Sequence, residues 1–140
     1  MDFTSTLGIS ASGMDAQGQR LRIIAENLAN QDTTGSTAGA DPYRRKTISF
    51  QEAVDAEADD DENAANGVSV KEIGRDESDF QTRYDPSHPA ADAKGYVKVS
   101  NVNTMVEVMD MREAERSYEA NLNTMQITRS MLTRTLDLLK

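Results

Sequence analysis

The chain contains no cysteine, no tryptophan, one histidine and three prolines in 140 residues. Each shortage removes a class of chemistry. Without cysteine there are no disulfides, thiolate metal sites, iron–sulfur ligands or cysteine nucleophiles. The redox compartment stays open, since a chain without cysteine survives inside or outside the cell. Aromatic residues make up 5% and hydrophobic residues 37% of the chain, so a large dry core is not expected. The longest uninterrupted apolar run is three residues, as in Ile23-Ile24-Ala25. A helix that crosses a bilayer needs roughly 20. The start, Met1-Asp2-Phe3-Thr4-Ser5, lacks the basic and apolar regions of a cleaved secretory signal.

With one histidine and no cysteine, transition-metal ligation would fall on carboxylates alone. His88 lies between Pro86 and Pro89, with no local sign of the orienting partner and nucleophile that a general base requires. The chain has no phosphate-cradling glycine loop and no G-x-S-x-G elbow. Its acidic run lacks the glycine and terminal Glu of an EF-hand loop. The 24 carboxylates offer many pairs for glycoside chemistry, none marked by an apolar setting. These readings assign no catalytic, cofactor-binding or metal residue, no cofactor, and no enzymatic activity.

The formal charge is -9, from 24 acidic and 15 basic side chains. Nucleic-acid or anionic-membrane binding would need clustered Lys and Arg. Arg44-Arg45-Lys46 is a single basic triplet, better suited to a local contact with an acidic neighbour. Residues 31–100 carry 15 of the acids and 8 of the bases, so the excess belongs to the middle and leaves both ends near neutral.

The ends share a pattern that the middle lacks. Leu7, Met14, Leu21 and Leu28 recur every seven residues, with Phe3 and Ile24 on the same stripe and Ala11, Gly18 and Ala25 beside it. Met111, Tyr118, Met125, Leu132 and Leu139 recur likewise, with Val108, Leu122 and Leu136 in the row four residues on. Both are narrow seams at heptad spacing. Thr4, Ser5 or Thr6 could cap the first helix. Gly8, Gly13 and Gly18 each weaken it by up to about 1 kcal/mol. No Gly or Pro interrupts residues 103–140, so the second helix would extend about 57 Å at ~1.5 Å per residue. Asn121, Thr128 and Arg129 within its stripe suggest that register is specified. Pairing in cis, as a helical hairpin, and in trans, as an assembly, both satisfy the pattern.

In between, Ile48/Phe50, Val68/Val70, Phe80/Tyr84 and Val97/Val99 alternate with polar neighbours, as half-buried strands do. Asp55 to Asn63 holds six acids in nine residues and reads as a solvated loop, taken here as 55–66. The expected organisation is a helix within 1–34, a middle region 35–102 of short strands and loops, and a helix within 103–140. The fold class is mainly α with a small β-containing middle, and the long terminal helices pair as a coiled coil.

Several stretches then resemble a known family. Ala25-Glu26-Asn27-Leu28-Ala29-Asn30 resembles the ANLAN segment of the flagellar rod and hook axial proteins. Pro42-Tyr43-Arg44-Arg45-Lys46, Tyr84-Asp85-Pro86-Ser87-His88-Pro89 with Ala91-Asp92-Ala93 and Gly95-Tyr96-Val97, and Asn101-Val102-Asn103 with Glu107, Met109-Asp110-Met111 and Arg116-Ser117-Tyr118-Glu119-Ala120-Asn121 resemble, in order, segments of that family's proximal-rod subunits. Ser100 stands where the family usually has proline, and the acids of 55–62 are denser than usual.

The resemblance implies a structural subunit of the hollow driveshaft and export channel that crosses the periplasm within the flagellar basal body. It implies export through the flagellar type III apparatus without a cleaved signal. It also implies assembly with copies of itself, the rod proteins FlgB, FlgF and FlgG, and the adaptor FliE, with no nucleic acid and no membrane insertion. The expected assembly residues are Leu7, Met14, Leu21, Ile24, Asn27, Leu28 and Asn30 at one end. At the other they are Met111, Tyr118, Asn121, Leu122, Met125, Leu132, Leu136 and Leu139. On residues alone, a cytosolic coiled-coil adaptor and a carboxylate-pair cell-wall enzyme are the rival classes.

Overall fold

The computed structural model describes residues 3–53 and 67–138. The acidic stretch 55–66 and Leu139 therefore lie outside the described residues. The elements run α1 (Phe3–Ala29), β1 (Lys46–Ala53), β2 (Gly67–Arg75), β3 (Gln81–Tyr84), β4 (Tyr96–Val99) and α2 (Thr104–Asp137). Among the described residues there are two helices with short strands between them. The strands form two two-stranded sheets, β1 with β2 and β3 with β4. No helix among the described residues is long and apolar enough to cross a membrane.

Helix ends follow their local chemistry. Thr4, Ser5 and Thr6 fall inside α1 rather than at its cap. At its other end the Asn30 side-chain amide donates to the Glu26 carbonyl at 2.8 Å, and the Thr33 hydroxyl donates to the Asn30 carbonyl at 2.8 Å. These side chains add a second bond to carbonyls that already accept the backbone N–H of Asn30 and of Thr33, each at 3.2 Å. Asn103 caps α2, its Oδ1 accepting from the backbone N–H of Met105 at 3.0 Å and of Val106 at 3.4 Å. Glu107 in the first turn and Arg134 in the last complement the helix dipole.

The chain divides into two compact units, and the backbone passes from one to the other within α1, β1, β2 and α2. One unit comprises Met1–Leu21, Ser49–Glu72 and Arg112–Lys140. Here α1 and α2 meet through small and polar residues. Ser10, Ala16, Ala114 and Thr128 are buried. Gly13 sits so close to Asn121 that an added Cβ would lie 2.8 Å from the Asn121 amide nitrogen. Arg20 and Glu113 pair at 3.5 Å. As α1 advances from Gly13 to Arg20, its neighbour on α2 retreats from Asn121 to Glu113, so the helices are antiparallel. The Ser12 hydroxyl donates to the Ile9 carbonyl at 2.8 Å and accepts from Val68 N–H at 3.1 Å, tying β2 to α1.

The other unit comprises Arg22–Ile48 and Ile73–Met111. Its core collects Ile23, Ile24, Ala90, Val97 and Val102. β3 and β4 pair antiparallel, from Gln81 opposite Val99 to Tyr84 opposite Tyr96. The alternation expected of β4 holds, with Val97 buried between exposed Tyr96 and Lys98. Thr34 bridges to Val99, and Ser100 N–H donates to the Thr33 carbonyl at 3.2 Å, so the hairpin is bound to the segment leaving α1. In the hairpin loop, Asp92 Oδ1 accepts from the N–H groups of Lys94 at 2.8 Å and Tyr96 at 2.9 Å. The turn closes through Gly95, whose φ of 83° suits a residue without Cβ. Tyr84 and Tyr96 rings pack edge to face across the hairpin, with centroids 5.3 Å apart.

Candidate functional site

The second unit contains a buried polar cluster built from three separate stretches of chain. These are the last turn of α1, the strap 43–46 leading into β1, and the first turn of α2. Asn27 is 1% exposed and uses all four of its hydrogen-bonding positions. Its amide group donates to the Lys46 carbonyl at 2.9 Å and to Glu107 Oε2 at 3.1 Å. Its Oδ1 accepts from the Tyr43 hydroxyl at 2.8 Å and from Lys46 N–H at 2.9 Å. A single side chain thereby docks the strap on α1 and reaches α2.

Glu107 has no exposed surface. A carboxylate in such a place must be neutralised and hydrogen-bonded, or burial costs several kcal/mol. Arg45 supplies both, with Nε donating to Glu107 Oε1 at 2.5 Å. The rest of the guanidinium faces Asp76 at 3.7 Å and Asp110 at 3.5 Å. Arg45 is held in turn by its backbone N–H, which donates to Asn101 Oδ1 at 2.7 Å. The Asn101 amide donates to the carbonyls of Asp76 at 3.1 Å and Ser78 at 3.3 Å. Arg44 donates to those same two carbonyls, each at 3.0 Å, and lies over the Phe80 ring at 4.2 Å. Lys46 pairs with Glu26. The basic triplet is thus spent on local acidic and carbonyl partners.

The electrostatics follow from these contacts. Burial, then the nearby charges of Glu26 and Glu107, push the Tyr43 phenol up to about 12. Hydrogen bonds from Ser78 hold the Asp76 carboxyl below its ordinary range, helped by Arg45 and Arg44. His88 packs into its loop, its Nδ1 accepting from Ala90 N–H at 3.1 Å and its Nε2 lying 3.5 Å from the Thr34 hydroxyl. Among the described residues no group of three or more His, Asp or Glu side chains is placed to hold a metal ion. The cluster organises protein against protein. Its carboxylate is occupied by an arginine, and its amide has no free position.

The expected assembly residues fall in different environments. Ile24 and Asn27 are buried; Leu7, Met14, Leu21, Leu28 and Asn30 are half-buried along α1. On α2, Met111, Asn121, Met125 and Leu132 are half-buried, whereas Tyr118, Leu122 and Leu136 are exposed. The most buried positions of α2 are Glu107, Ala114 and Thr128, which share with Asn121 a row seven residues apart. Reading the sequence by its large apolar residues left Asp76 unmarked, and left Glu107, Asn101 and Arg45 marked only as parts of family-like stretches, with Arg45 also expected to meet an acidic neighbour. A signal for Glu107 existed, since it extends the Ala114–Asn121–Thr128 row backwards by one heptad.

Known proteins match this chain over nearly its whole length. A family of flagella basal body rod proteins matches residues 7–36, and the C-terminal region of the flagellar basal body rod FlgEFG proteins matches residues 93–138. These spans include Asn27 on one side of the cluster and Asn101 and Glu107 on the other. The fold and these matches define the class as a flagellar basal-body rod protein, a structural component of the flagellum. Relatives narrow it. The chain is 49% identical to the flagellar basal-body rod protein FlgC of Agrobacterium fabrum, over 94% of this chain and 91% of that one. It is 39% identical to FlgC of Bacillus subtilis, over 95% of each. With FlgC of Escherichia coli it shares 37% identity, over 99% of this chain and 98% of the relative. The chain belongs to the FlgC family.

Proposed function

We propose that this chain is a subunit of the proximal part of the flagellar rod and polymerises through its terminal helices into a tube. The tube would serve as both driveshaft and export channel across the periplasm. Copies of the same chain, FlgB, FlgF, FlgG and the adaptor FliE are its neighbours in this reading. The subunit arrives through the flagellar type III apparatus without losing a signal peptide. Its role is mechanical, with no catalytic step.

The observation that carries this reading is that α2 carries large apolar side chains on a side that its own chain leaves uncovered. One side holds the buried row of Glu107, Ala114 and Thr128. On the side turned away from it, Met105, Met109, Ile127 and Met131 are between 52% and 69% exposed. Met109 and Ile127 are eighteen residues apart, five full turns at ~3.6 residues per turn, so they share one face. Methionine suits a surface that must fit several neighbours. Large apolar side chains left exposed in groups along one side of a helix mark a surface for a partner beyond the chain's own packing. In a non-closing, head-to-tail assembly that partner is the next subunit.

In this division of labour the regions 1–34 and 103–140 form the assembly helices, paired as a coiled coil, and 35–102 decorates the outside. The half-buried rows of Leu7, Met14, Leu21 and Leu28, and of Met111, Met125 and Leu132, are completed by neighbours. The test is electron microscopy of basal bodies from a strain that lacks this chain and carries it back with Ile127→Asp. Failure of rods to form, with normal export of the variant, supports the assignment. Normal rods contradict it.

A further inference from the structure

We propose that Asn27, Arg45 and Glu107 form a register key, positioning residues that admit one alignment of α2 on α1 and reject alignments a turn away. Its consequence for assembly rests on the reading above, because only an aligned subunit presents both helices to its neighbours in step. The key itself is a property of the single chain.

The geometry is that of a socket and a plug. Asn27 grips the strap through both backbone groups of Lys46 and through the Tyr43 hydroxyl. The strap therefore travels with α1 and carries Arg45 with it. Together they present two donors side by side, Asn27 Nδ2 and Arg45 Nε, with no acceptor of their own for these positions. Glu107 answers both at once, Oε2 to the amide at 3.1 Å and Oε1 to the guanidinium at 2.5 Å. No other side chain near it on α2 could replace it after a slip. One turn along, Asp110 is shorter by a methylene and already faces the outer edge of Arg45 at 3.5 Å. Seven residues along stands Ala114, which accepts nothing. Either slip strands the buried Asn27 donor, leaves the half-buried Arg45 Nε without its acceptor, and takes the buried Glu107 from its cation.

Shape favours one alignment at Gly13, which leaves room for Asn121, but the rest of the row is permissive. The inward row of α2 beyond Glu107 consists of Ala114, Asn121 and Thr128, small or polar side chains at sevens. Rows of that kind pack nearly as well one heptad over, and a polar group at one such position is a known means of fixing alignment. The cluster concentrates directional bonding at the one place where three chain segments meet.

Inverting the polarity of the plug separates this role from packing. Glu107→Gln keeps the shape but turns an NH2 towards the Asn27 amide, donor against donor. Asn27→Asp sets a second carboxylate beside Glu107. Combining Asn27→Asp with Glu107→Gln restores the bond in the opposite direction. The new amide at position 107 donates, and the new carboxylate at position 27 accepts from it while still accepting from the Tyr43 hydroxyl and the Lys46 N–H; the bond to the Lys46 carbonyl is the one that is not restored. Alignment is read in the purified full chain by adding Gln31→Cys and Thr104→Cys, whose side chains are hydrogen-bonded in the parent. The chain has no cysteine to compete, and a short bis-maleimide joins the two. We expect each single variant to cross-link roughly tenfold more slowly and the double variant to recover part of the parent rate. If a single variant fails to fold, refolding of the double variant by circular dichroism is the same rescue. Singles that cross-link as fast as the parent, or a double no better than either single, overturn the key. Motility is scored separately: an intact key in a chain that builds no rod counts against the assembly reading alone.

Discussion

The Tyr43 hydroxyl donates to Asn27 Oδ1 at 2.8 Å, across sixteen residues of chain. That contact fastens the strap to the end of α1 and leaves a phenol close to the carboxylates of Glu26 and Glu107. The stretches around Asn27, Tyr43–Lys46 and Asn101, which resemble family segments, are distant in sequence, yet in the fold they form one hydrogen-bonded group. Their shared task is to hold α1, the strap and α2 together.

Tyr43 provides a pH signature. Its pKa is pushed up to about 12 from an ordinary value of 10.0, so the native state holds the phenolic proton more tightly than the unfolded chain. The corresponding stabilisation is fully present below pH 10.0 and is lost as pH rises towards about 12. Tyr43→Phe should remove this component of the alkaline loss. At neutral pH it should lower stability by about 1 kcal/mol, through the missing hydrogen bond. Urea titrations of parent and variant between neutral and strongly alkaline pH measure both effects. Curves that stay parallel above pH 10.0 would remove Tyr43 as the source.

Among the described residues, Arg45 is the only cation in bonding distance of the buried Glu107. Arg45→Ala therefore strands a charge in the interior and should cost about 3–5 kcal/mol. Lysine cannot repair this, because a point charge does not reproduce the guanidinium that meets Glu107, Asp76 and Asp110 together. Adding Glu107→Gln to Arg45→Ala should return part of the loss, since no charge is left behind. The order of urea midpoints, parent above double variant above Arg45→Ala, is the expected result. A double variant below Arg45→Ala would mean that the pair matters through something other than charge burial.

The helices were legible because their signals are local. A stretch from residue 103 with no Gly or Pro can hardly be other than helix, and Asn103 stands at its start as a capping residue. The alternation of Val97 and Val99 likewise revealed β4. What stayed hidden was which side of α2 is most buried. Hydropathy points to Met111, Met125 and Leu132, which are half-buried, while Glu107 beside them is wholly buried. No local pattern announces a buried carboxylate, because its burial depends on Arg45, 62 residues earlier. The resemblance of Asn27 and the Tyr43–Lys46 strap to family segments marked the right residues without saying that they touch.

The glycines separate packing from propensity. Gly8 and Gly18 lie in α1 with nothing within 4 Å of an added Cβ. Replacing either with alanine should stabilise the chain by about 0.5–1 kcal/mol. Gly13→Ala would drive a methyl against Asn121, 2.8 Å from its amide nitrogen, and should forfeit that gain or reverse it. Gly95→Ala combines a positive φ of 83° with a Cβ 3.0 Å from the Tyr84 ring, so it should destabilise the hairpin by about 1–2 kcal/mol. Thermal unfolding of the four variants tests the ranking. A stabilising Gly13→Ala would show that α1 and α2 can part at that point.

The outer stripe of α2 should separate folding from assembly. Met109, Ile127 and Met131 are exposed and lie away from the buried row. Charged substitutions there should change the stability of the single chain by no more than about 0.5 kcal/mol. In a closely packed tube the same substitutions bury an unpaired charge at every subunit boundary, at a cost of several kcal/mol each. Ile127→Asp and Met131→Lys should therefore leave the urea midpoint of the purified chain unchanged while abolishing swimming in a complemented deletion strain. Combining them places opposite charges four residues apart on one face, a spacing at which side chains meet along a helix. Each charge then enters the boundary with a partner, so the double variant should regain part of the swimming that both single variants lose. Full motility in both single variants would mean that this stripe faces solvent in the rod, and the second partner of α2 would have to be sought on another face.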